Sequence, residues 1–244
     1  MQETGPESKH QSDNTVPRQP GDAAARNAGL LLVATAVVTL LMVVARVMAD
    51  ADQPTLVESL AAIAESRISY GLSGAARLVS GVTLLAGAWL LLATWIIRQR
   101  RATPLVPWLF VASGIFTGVS GLCAVVLALV ATNAGEPGAF TELTAFLRWT
   151  TGKVGFTAAG LALLVAARYQ WMAGGALRFI SPLSVIIGAA MLLIWIDALT
   201  YLHRVSGMAF VLWLVAIGFM LFSGRVERLF IARFGSTAAD PKQE

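Results

Sequence analysis

The sequence predicts an all-α integral membrane protein: a bundle of six transmembrane helices with a short amphipathic outer helix between spans 1 and 2, and with both termini cytoplasmic. Of its 244 residues, 57% are hydrophobic and only 13% are charged, which is too apolar for a soluble domain. The chain also has six apolar stretches between charged loops, and a helix of about 20 such residues crosses a hydrocarbon core of about 30 Å. These observations exclude an ordinary cytoplasmic globular protein.

The two chain ends are predicted to lie outside the membrane. Residues 1–28 are polar and have no apolar period, so we expect a disordered cytoplasmic tail. This segment does not have the pattern of a cleavable signal peptide, and the first apolar stretch should remain in the mature protein. A second cytoplasmic tail is expected over 225–244. The transmembrane domain, 29–224, should contain spans at about 29–47, 72–97, 107–131, 149–167, 180–200 and 205–223, with Pro182 in the first turn of the fifth.

A short helix is expected between the first two spans. Thr55 and Glu58 have the spacing of a capping box, and apolar residues then recur at helical spacing. We expect this helix to lie on the outer face of the membrane.

Small residues within the spans indicate close helix packing. Gly114, Gly118 and Gly121 recur on one side of span three, and span four is also rich in glycine. The sequence leaves open whether these faces meet within one chain or between two chains.

The distribution of Lys and Arg predicts the orientation, because basic residues concentrate in cytoplasmic loops. Most of the basic residues fall in the two tails and the even-numbered loops, whereas the odd-numbered loops carry acidic residues. The basic residues that predict a cytoplasmic side are Lys9, Arg18, Arg26, Arg98, Arg100, Arg101, Arg168, Arg178, Arg225, Arg228, Arg233 and Lys242.

Several ionisable residues fall within or beside the spans, where charge is costly. Only 14 uncharged residues separate Lys153 from Arg168, about 21 Å of helix, so Lys153 is expected inside the outer leaflet. Arg46, Arg77 and Arg204 border longer uncharged runs, and we interpret them as interfacial anchors that snorkel to the surface.

Asp197 is the one acidic residue predicted within a span. It would pair with Lys153 or Arg77, or cap a helix end. The sequence predicts an outer-leaflet polar cluster with excess positive charge, which suits an anionic partner. Its members are Arg46, Arg77, Arg148, Lys153, His203 and Arg204, with the acids Asp197 and Glu142. The candidate ligand-binding residues are Arg77, Lys153, Asp197, His203 and Arg204. We interpret Trp149, Tyr70 and Tyr201 as part of the interfacial aromatic belt.

Two resemblances accompany this pattern. The string from His203 to Gly207 is similar to a motif of succinate dehydrogenase membrane-anchor subunits, which bind quinone and haem b; it covers five residues of 244, and those subunits are smaller, with three spans. More generally, the segments 26–30, 73–77 and 207–214 resemble bacterial multi-pass inner-membrane proteins grouped as domains of unknown function. That resemblance implies a helical bundle in the bacterial inner membrane and no assigned activity.

The sequence supports three hypotheses for function. The first is a membrane protein that binds a lipid, a small anionic ligand or a protein partner at the outer-leaflet cluster. The alternatives are a transporter or channel component, and a quinone- or haem-binding redox subunit that uses His203. No catalytic residues, cofactor, metal site or nucleic-acid partner is predicted, since Cys123 is the only cysteine and the basic residues follow topology. Enzymatic activity is not expected, and a homo-oligomer stays open.

Overall fold

The protein is described from a computed structural model, which covers residues 22–131 and 137–234, apart from the side chains of Asp197 and Thr200. Six of its helices are long and apolar enough to cross a membrane, which confirms the predicted six-helix bundle. In chain order the helices are α1 (Ala23–Ala49), α2 (Leu56–Glu65), α3 (Arg67–Leu92), α4 (Trp95–Arg98), α5 (Leu105–Val130), α6 (Ala139–Ala173), α7 (Gly175–Leu192), α8 (Thr200–Phe222) and α9 (Arg225–Phe234).

The six spanning helices, α1, α3, α5, α6, α7 and α8, form a closed ring. Each packs against the next one along the chain, and α8 packs back against α1. Three aromatic side chains pack together within the bundle: the Phe110 ring of α5 lies 5.9 Å from that of Trp213 and 6.4 Å from that of Phe210, both of α8. We call the two ends of this bundle the Asp22 end, where α1 begins, and the Asp52 end, where α1 finishes.

Glycine pairs set the distance between neighbouring helices. A Cβ atom on Gly81 of α3 would lie 2.6 Å from the carbonyl oxygen of Gly114 on α5, and one on Gly114 would lie 2.7 Å from that of Gly81. Reciprocal contacts of the same kind join Gly29 to Gly218, between α1 and α8, and Gly160 to Gly188, between α6 and α7. Backbones therefore touch directly at three helix pairs. The glycine faces of span three meet within one chain.

The Asp52 end confirms the helix predicted after span 1. In α2, the Thr55 hydroxyl accepts a hydrogen bond from the Glu58 backbone N–H, and the Glu58 carboxylate accepts one from the Thr55 backbone N–H, which completes the capping box. Leu60 and Ile63 are buried beneath this helix.

The Asp22 end differs from the predicted tails. Residues 23–28, expected to be disordered, belong to α1, and Asp22 caps that helix by accepting from the Ala24 N–H at 3.0 Å. The other carboxylate oxygen accepts from the Trp95 N–H at 2.6 Å, so one side chain caps both α1 and α4. Residues 225–234 form α9 instead of continuing as a tail, because Val226 and Phe230 are buried on its apolar side. The predicted tail segments 1–21 and 235–244 lie outside the described residues.

Three spans have bounds that differ from the predicted ones. Helix α3 ends at Leu92, not near 97, and a separate turn of helix, α4, follows it. Helix α6 is 35 residues long, about 52 Å, and turns into α7 through Gly174 and Gly175, whose φ angles of 74° and 55° are left-handed values that favour glycine. Because α7 begins at Gly175, Pro182 lies inside that helix and not in its first turn.

The glycine contacts predict different effects for two substitutions on the α3–α5 pair. Gly81→Ala places a methyl group against the α5 backbone, and overpacking of this kind costs about 1–3 kcal/mol, so we expect a lower unfolding temperature in detergent. At Gly118, one turn from Gly114, an added Cβ would make an ordinary contact of 3.6 Å with Leu78. Gly118→Ala is therefore the matched control and should leave the unfolding temperature unchanged or raise it. Equal destabilisation by both variants would contradict the assigned packing.

Candidate functional site

Three arginines from three spanning helices converge at the Asp52 end. We call Arg46 of α1, Arg77 of α3 and Arg148 of α6 the arginine cluster. Arg77 is ten residues from the first residue of α3, and Arg148 is nine residues from the first residue of α6. At 1.5 Å per residue, these distances place the two side chains about 13–15 Å along their helices from the Asp52 end.

A tight turn after α1 returns a carboxylate to Arg46. Asp50 has a left-handed φ of 43° and its N–H donates to the Val47 carbonyl, which ends the helix. The chain then brings Asp52 into an ion pair with Arg46. The side chain of Arg46 is 17% exposed and that of Asp52 is 63% exposed, so the pair bridges the buried cluster and the surface.

Tyr70 packs between two members of the cluster. Its side chain is fully buried, and the guanidinium carbons of Arg46 and Arg148 lie 4.9 Å and 5.5 Å from the centre of its ring. Both contacts are in the range of cation–π attraction. The Tyr70 hydroxyl lies near the charge of Arg46 but makes no hydrogen bond of normal geometry within the described residues. The interpretation of Tyr70 as a belt residue was wrong, because this ring faces the bundle interior.

Arg77 is held by a short chain of hydrogen bonds. Its Nη1 donates to the Ser120 hydroxyl of α5 at 3.1 Å, and this hydroxyl donates to the Arg148 carbonyl at 2.8 Å. Gly152 leaves room for the Ser120 hydroxyl, because a Cβ atom there would lie 3.2 Å from the Ser120 oxygen, whereas its distance of 3.7 Å from Arg77 Nη1 would be an ordinary contact. Arg77 therefore points into the bundle and does not snorkel.

The cluster surrounds a small cavity of about 30 Å³, room for one or two water-sized groups. Among the described residues, Asp52 is the one acid in an ion pair here, and it pairs with Arg46. Arg77 and Arg148 therefore have donors without a carboxylate partner. The buried Nε of Arg148 has no hydrogen-bond acceptor among these residues. The residues that line the cavity are Met42, Arg46, Ser73, Gly74, Arg77, Ala124 and Arg148.

The charge of the cluster acts on Asp52. Partial burial by itself would raise the pKa of this carboxyl, but the Arg46 guanidinium, with smaller contributions from Arg148 and Arg204, outweighs burial and holds the pKa below its ordinary value. The local field is therefore positive, and it stabilises negative charge.

Lys153 lies one turn further along α6 than Trp149, and its side chain is buried within the protein. Its Nζ is 3.8 Å from the centre of the Trp149 ring and 5.6 Å from that of Trp195. The two indoles meet edge to face at 6.3 Å. Aromatic faces thus stabilise this ammonium group within the span.

The remaining candidate residues lie at the start of α8. A ring nitrogen of His203 is 3.0 Å from the Leu193 carbonyl oxygen. Arg204 is exposed, as expected of an anchor, and its charge reaches Asp52. Asp197 lies in the 3-10 turn Asp197–Leu199, but its side chain is outside the described part of the structure. Its pairing with Lys153 or Arg77 stays a prediction.

The structure brings Arg77 together with Arg46 and Arg148, which the predicted outer-leaflet cluster included although neither was named as a candidate ligand. Asp52 was only a topology signal, and Ser120 gave no signal among the small residues of span three. Arg77 was misplaced because span 2 was drawn to residue 97; the end of α3 at Leu92 leaves 15 residues after Arg77, about 22 Å, and moves it into the membrane.

Comparisons with protein-family models, with curated proteins and with solved structures give no match. The geometry of the site is therefore the basis for assigning a function.

The lowered pKa of Asp52 predicts a pH effect on stability. A carboxyl whose pKa is lower in the folded state stabilises the fold above its unfolded pKa of about 3.9, and loses that stabilisation as the pH falls through the folded value. The wild type should be more stable than Asp52→Asn at pH 6, by about 0.2–1 kcal/mol for an ion pair this exposed. Thermal unfolding in detergent should show this difference shrinking as the pH is lowered to 3. Glu65→Gln, at an exposed position, is the control. Parallel pH curves for the wild type and Asp52→Asn would contradict the assignment.

Proposed function

We propose that this protein is a membrane protein that binds an anionic group, a phosphate or a carboxylate, at the arginine cluster. The observation that carries the proposal is the convergence of three guanidinium groups around one cavity, with a single described carboxylate, on Asp52, in an ion pair there. The excess of buried positive charge is what a bound anion would compensate.

Energetics support this proposal. A buried charge without a partner is strongly unfavourable, and proteins keep such charges where a ligand or a function requires them. Arginine also has the donor geometry that phosphate and carboxylate groups prefer, because its planar guanidinium donates two parallel hydrogen bonds. The Arg148 Nε, buried without an acceptor among the described residues, is a further donor on a residue that lines the cavity.

The size of the cavity limits how a ligand binds. A cavity of about 30 Å³ has room for one or two water-sized groups, which is enough for one oxygen of an oxyanion but not for a whole headgroup. A phosphate or carboxylate would therefore insert one oxygen between the guanidiniums, with the rest of the ligand outside. A lipid headgroup and a soluble anion satisfy this chemistry equally.

Charge also supports a location and an orientation. We infer that the Asp22 end is cytoplasmic, because the described basic residues concentrate there. The resemblance of three segments to bacterial inner-membrane proteins supports a bacterial inner membrane. This end has two described acids, Asp22 and Glu227, and nine described arginines: Arg26, Arg98, Arg100, Arg101, Arg168, Arg178, Arg225, Arg228 and Arg233. The arginine cluster would then lie in the outer leaflet.

Neither alternative function gains a specific observation. His203 contacts a backbone carbonyl, which does not favour a haem ligand. The Phe110 ring of α5 packs against Phe210 and Trp213 of α8, which does not favour a transport path between these two helices.

Arg77→Gln tests the anion site. In the wild type, sodium phosphate or sodium acetate at about ten times its dissociation constant should raise the unfolding temperature by about 3–5 °C. Arg77→Gln should lose this response and unfold at a higher temperature than the wild type when neither salt is present, because it removes excess buried charge. The control is Arg204→Gln, the same charge change at an exposed position of the same end, which should keep the response. If Arg77 only supports the fold through Ser120, Arg77→Gln will lower the unfolding temperature and respond to the salts like the wild type.

Cysteine labelling tests the orientation. In a Cys123→Ser background, we expect Glu65→Cys to react with a membrane-impermeant maleimide in intact cells, and Gln99→Cys to react only after lysis. The two positions lie at opposite ends of the bundle. The reverse pattern would overturn the inferred orientation.

A further inference from the structure

A second basic cavity lies at the Asp22 end, on the far side of the bundle from the arginine cluster. It is formed where the chain passes from α4 to α5, beside α6, and its volume is about 460 Å³, within the range of small-molecule sites. Two arginines and two hydroxyl side chains contribute to its wall. The lining residues are Ile97, Arg98, Arg100, Ala102, Thr103, Pro104 and Tyr169.

The backbone at Arg100 has an unusual conformation for this residue type. Its φ is 55°, and the hydrogen bonds from Arg100 N–H to the Ile97 carbonyl and from Arg101 N–H to the Ile96 carbonyl form a Schellman motif at the end of α4. The left-handed position of this motif usually holds glycine, because a side chain there strains the backbone. An arginine kept at a glycine position, with its side chain on a cavity wall, indicates a role for that side chain.

The cavity lies at the boundary between the spans and water. Most of the residues that line the cavity belong to the segment between the end of α3 at Leu92 and the start of α5 at Leu105. Next to it on α5, Leu105 and Trp108 are about half exposed, and Trp108 meets Trp89 of α3 edge to face at 5.8 Å. Exposed apolar residues below a basic cavity, with tryptophans at the same level, are typical of a surface that faces lipid.

We propose that this cavity binds the headgroup phosphate of an anionic phospholipid. Arg98 and Arg100 would donate charge-assisted hydrogen bonds to the phosphate oxygens, and the Tyr169 hydroxyl would add a neutral donor. The acyl chains would follow the apolar surface of α3 and α5 beside Trp89 and Trp108. Basic cavities at this level of membrane proteins recognise anionic headgroups. The proposal is independent of the arginine cluster, since the two sites share no residue.

The test measures retention of short-chain phosphatidylglycerol and phosphatidylcholine by native mass spectrometry of the full chain in detergent. The wild type should retain phosphatidylglycerol in preference to phosphatidylcholine. The double variant Arg98→Gln/Arg100→Gln should bind phosphatidylglycerol about tenfold more weakly, as expected for the loss of charge-assisted hydrogen bonds. Arg101→Gln is the matched control, because it makes the same charge change in the same loop at a residue that does not line the cavity. It should retain phosphatidylglycerol like the wild type.

A second variant separates binding from folding. Arg100→Gly relieves the left-handed backbone, so its unfolding temperature should be unchanged or higher while its affinity for phosphatidylglycerol falls. Equal retention of the two lipids by the wild type, or an equal loss in Arg101→Gln, would overturn the proposal. So would displacement of phosphatidylglycerol by low concentrations of inorganic phosphate, which would point to a soluble phosphate as the ligand. Phosphatidylglycerol held at the arginine cluster would instead be lost in Arg77→Gln and kept in the Arg98→Gln/Arg100→Gln double variant, so failure of this proposal and failure of the proposed function are distinguishable.

Discussion

The arrangement of the Asp52 end depends on the cost of placing three guanidinium groups within spanning helices. Each group is stabilised in a different way. Arg46 pairs with Asp52, Arg77 donates to Ser120, and Arg148 lies over the Tyr70 ring. These contacts compensate part of the desolvation cost but leave the charges themselves unbalanced. A protein selected for stability alone would have apolar residues here, and the cluster is therefore the strongest indication of function in the chain.

Close backbone contact makes this arrangement rigid. The reciprocal glycine contacts fix α3 against α5, α1 against α8, and α6 against α7, so side chains that project from these helices have little freedom to move apart. Gly152 acts at the site itself, because a side chain there would crowd the Ser120 hydroxyl that accepts from Arg77. Preorganised donors of this kind bind an anion without a further cost of ordering. The same small residues thus determine both the packing and the shape of the site.

The sequence predicts the six spans, α2 with its capping box, and close helix packing at the span-three glycines, because apolar length, capping spacing and residue size act locally. It does not predict where α3 ends, since residues 93–97 are as apolar as the helix before them. That one boundary displaced Arg77 towards the surface. The contacts of Tyr70 with Arg46 and Arg148 join three helices, and no spacing within a single helix encodes them. Helix α9 was missed because its charged residues are typical of a tail, although Val226 and Phe230 lie on one side of a helix.

Helix α6 connects the two sites at opposite ends of the bundle. It carries Arg148 at one site and Tyr169 at the other, and these residues are 21 positions apart in a single uninterrupted helix, about 31 Å, which is the thickness of the hydrocarbon core. A straight rod that pivots in the middle of the bilayer moves its two ends in opposite directions. If α6 tilted as one rigid body, a movement that widened the space beside Arg148 would also displace Tyr169 at the far end of the helix.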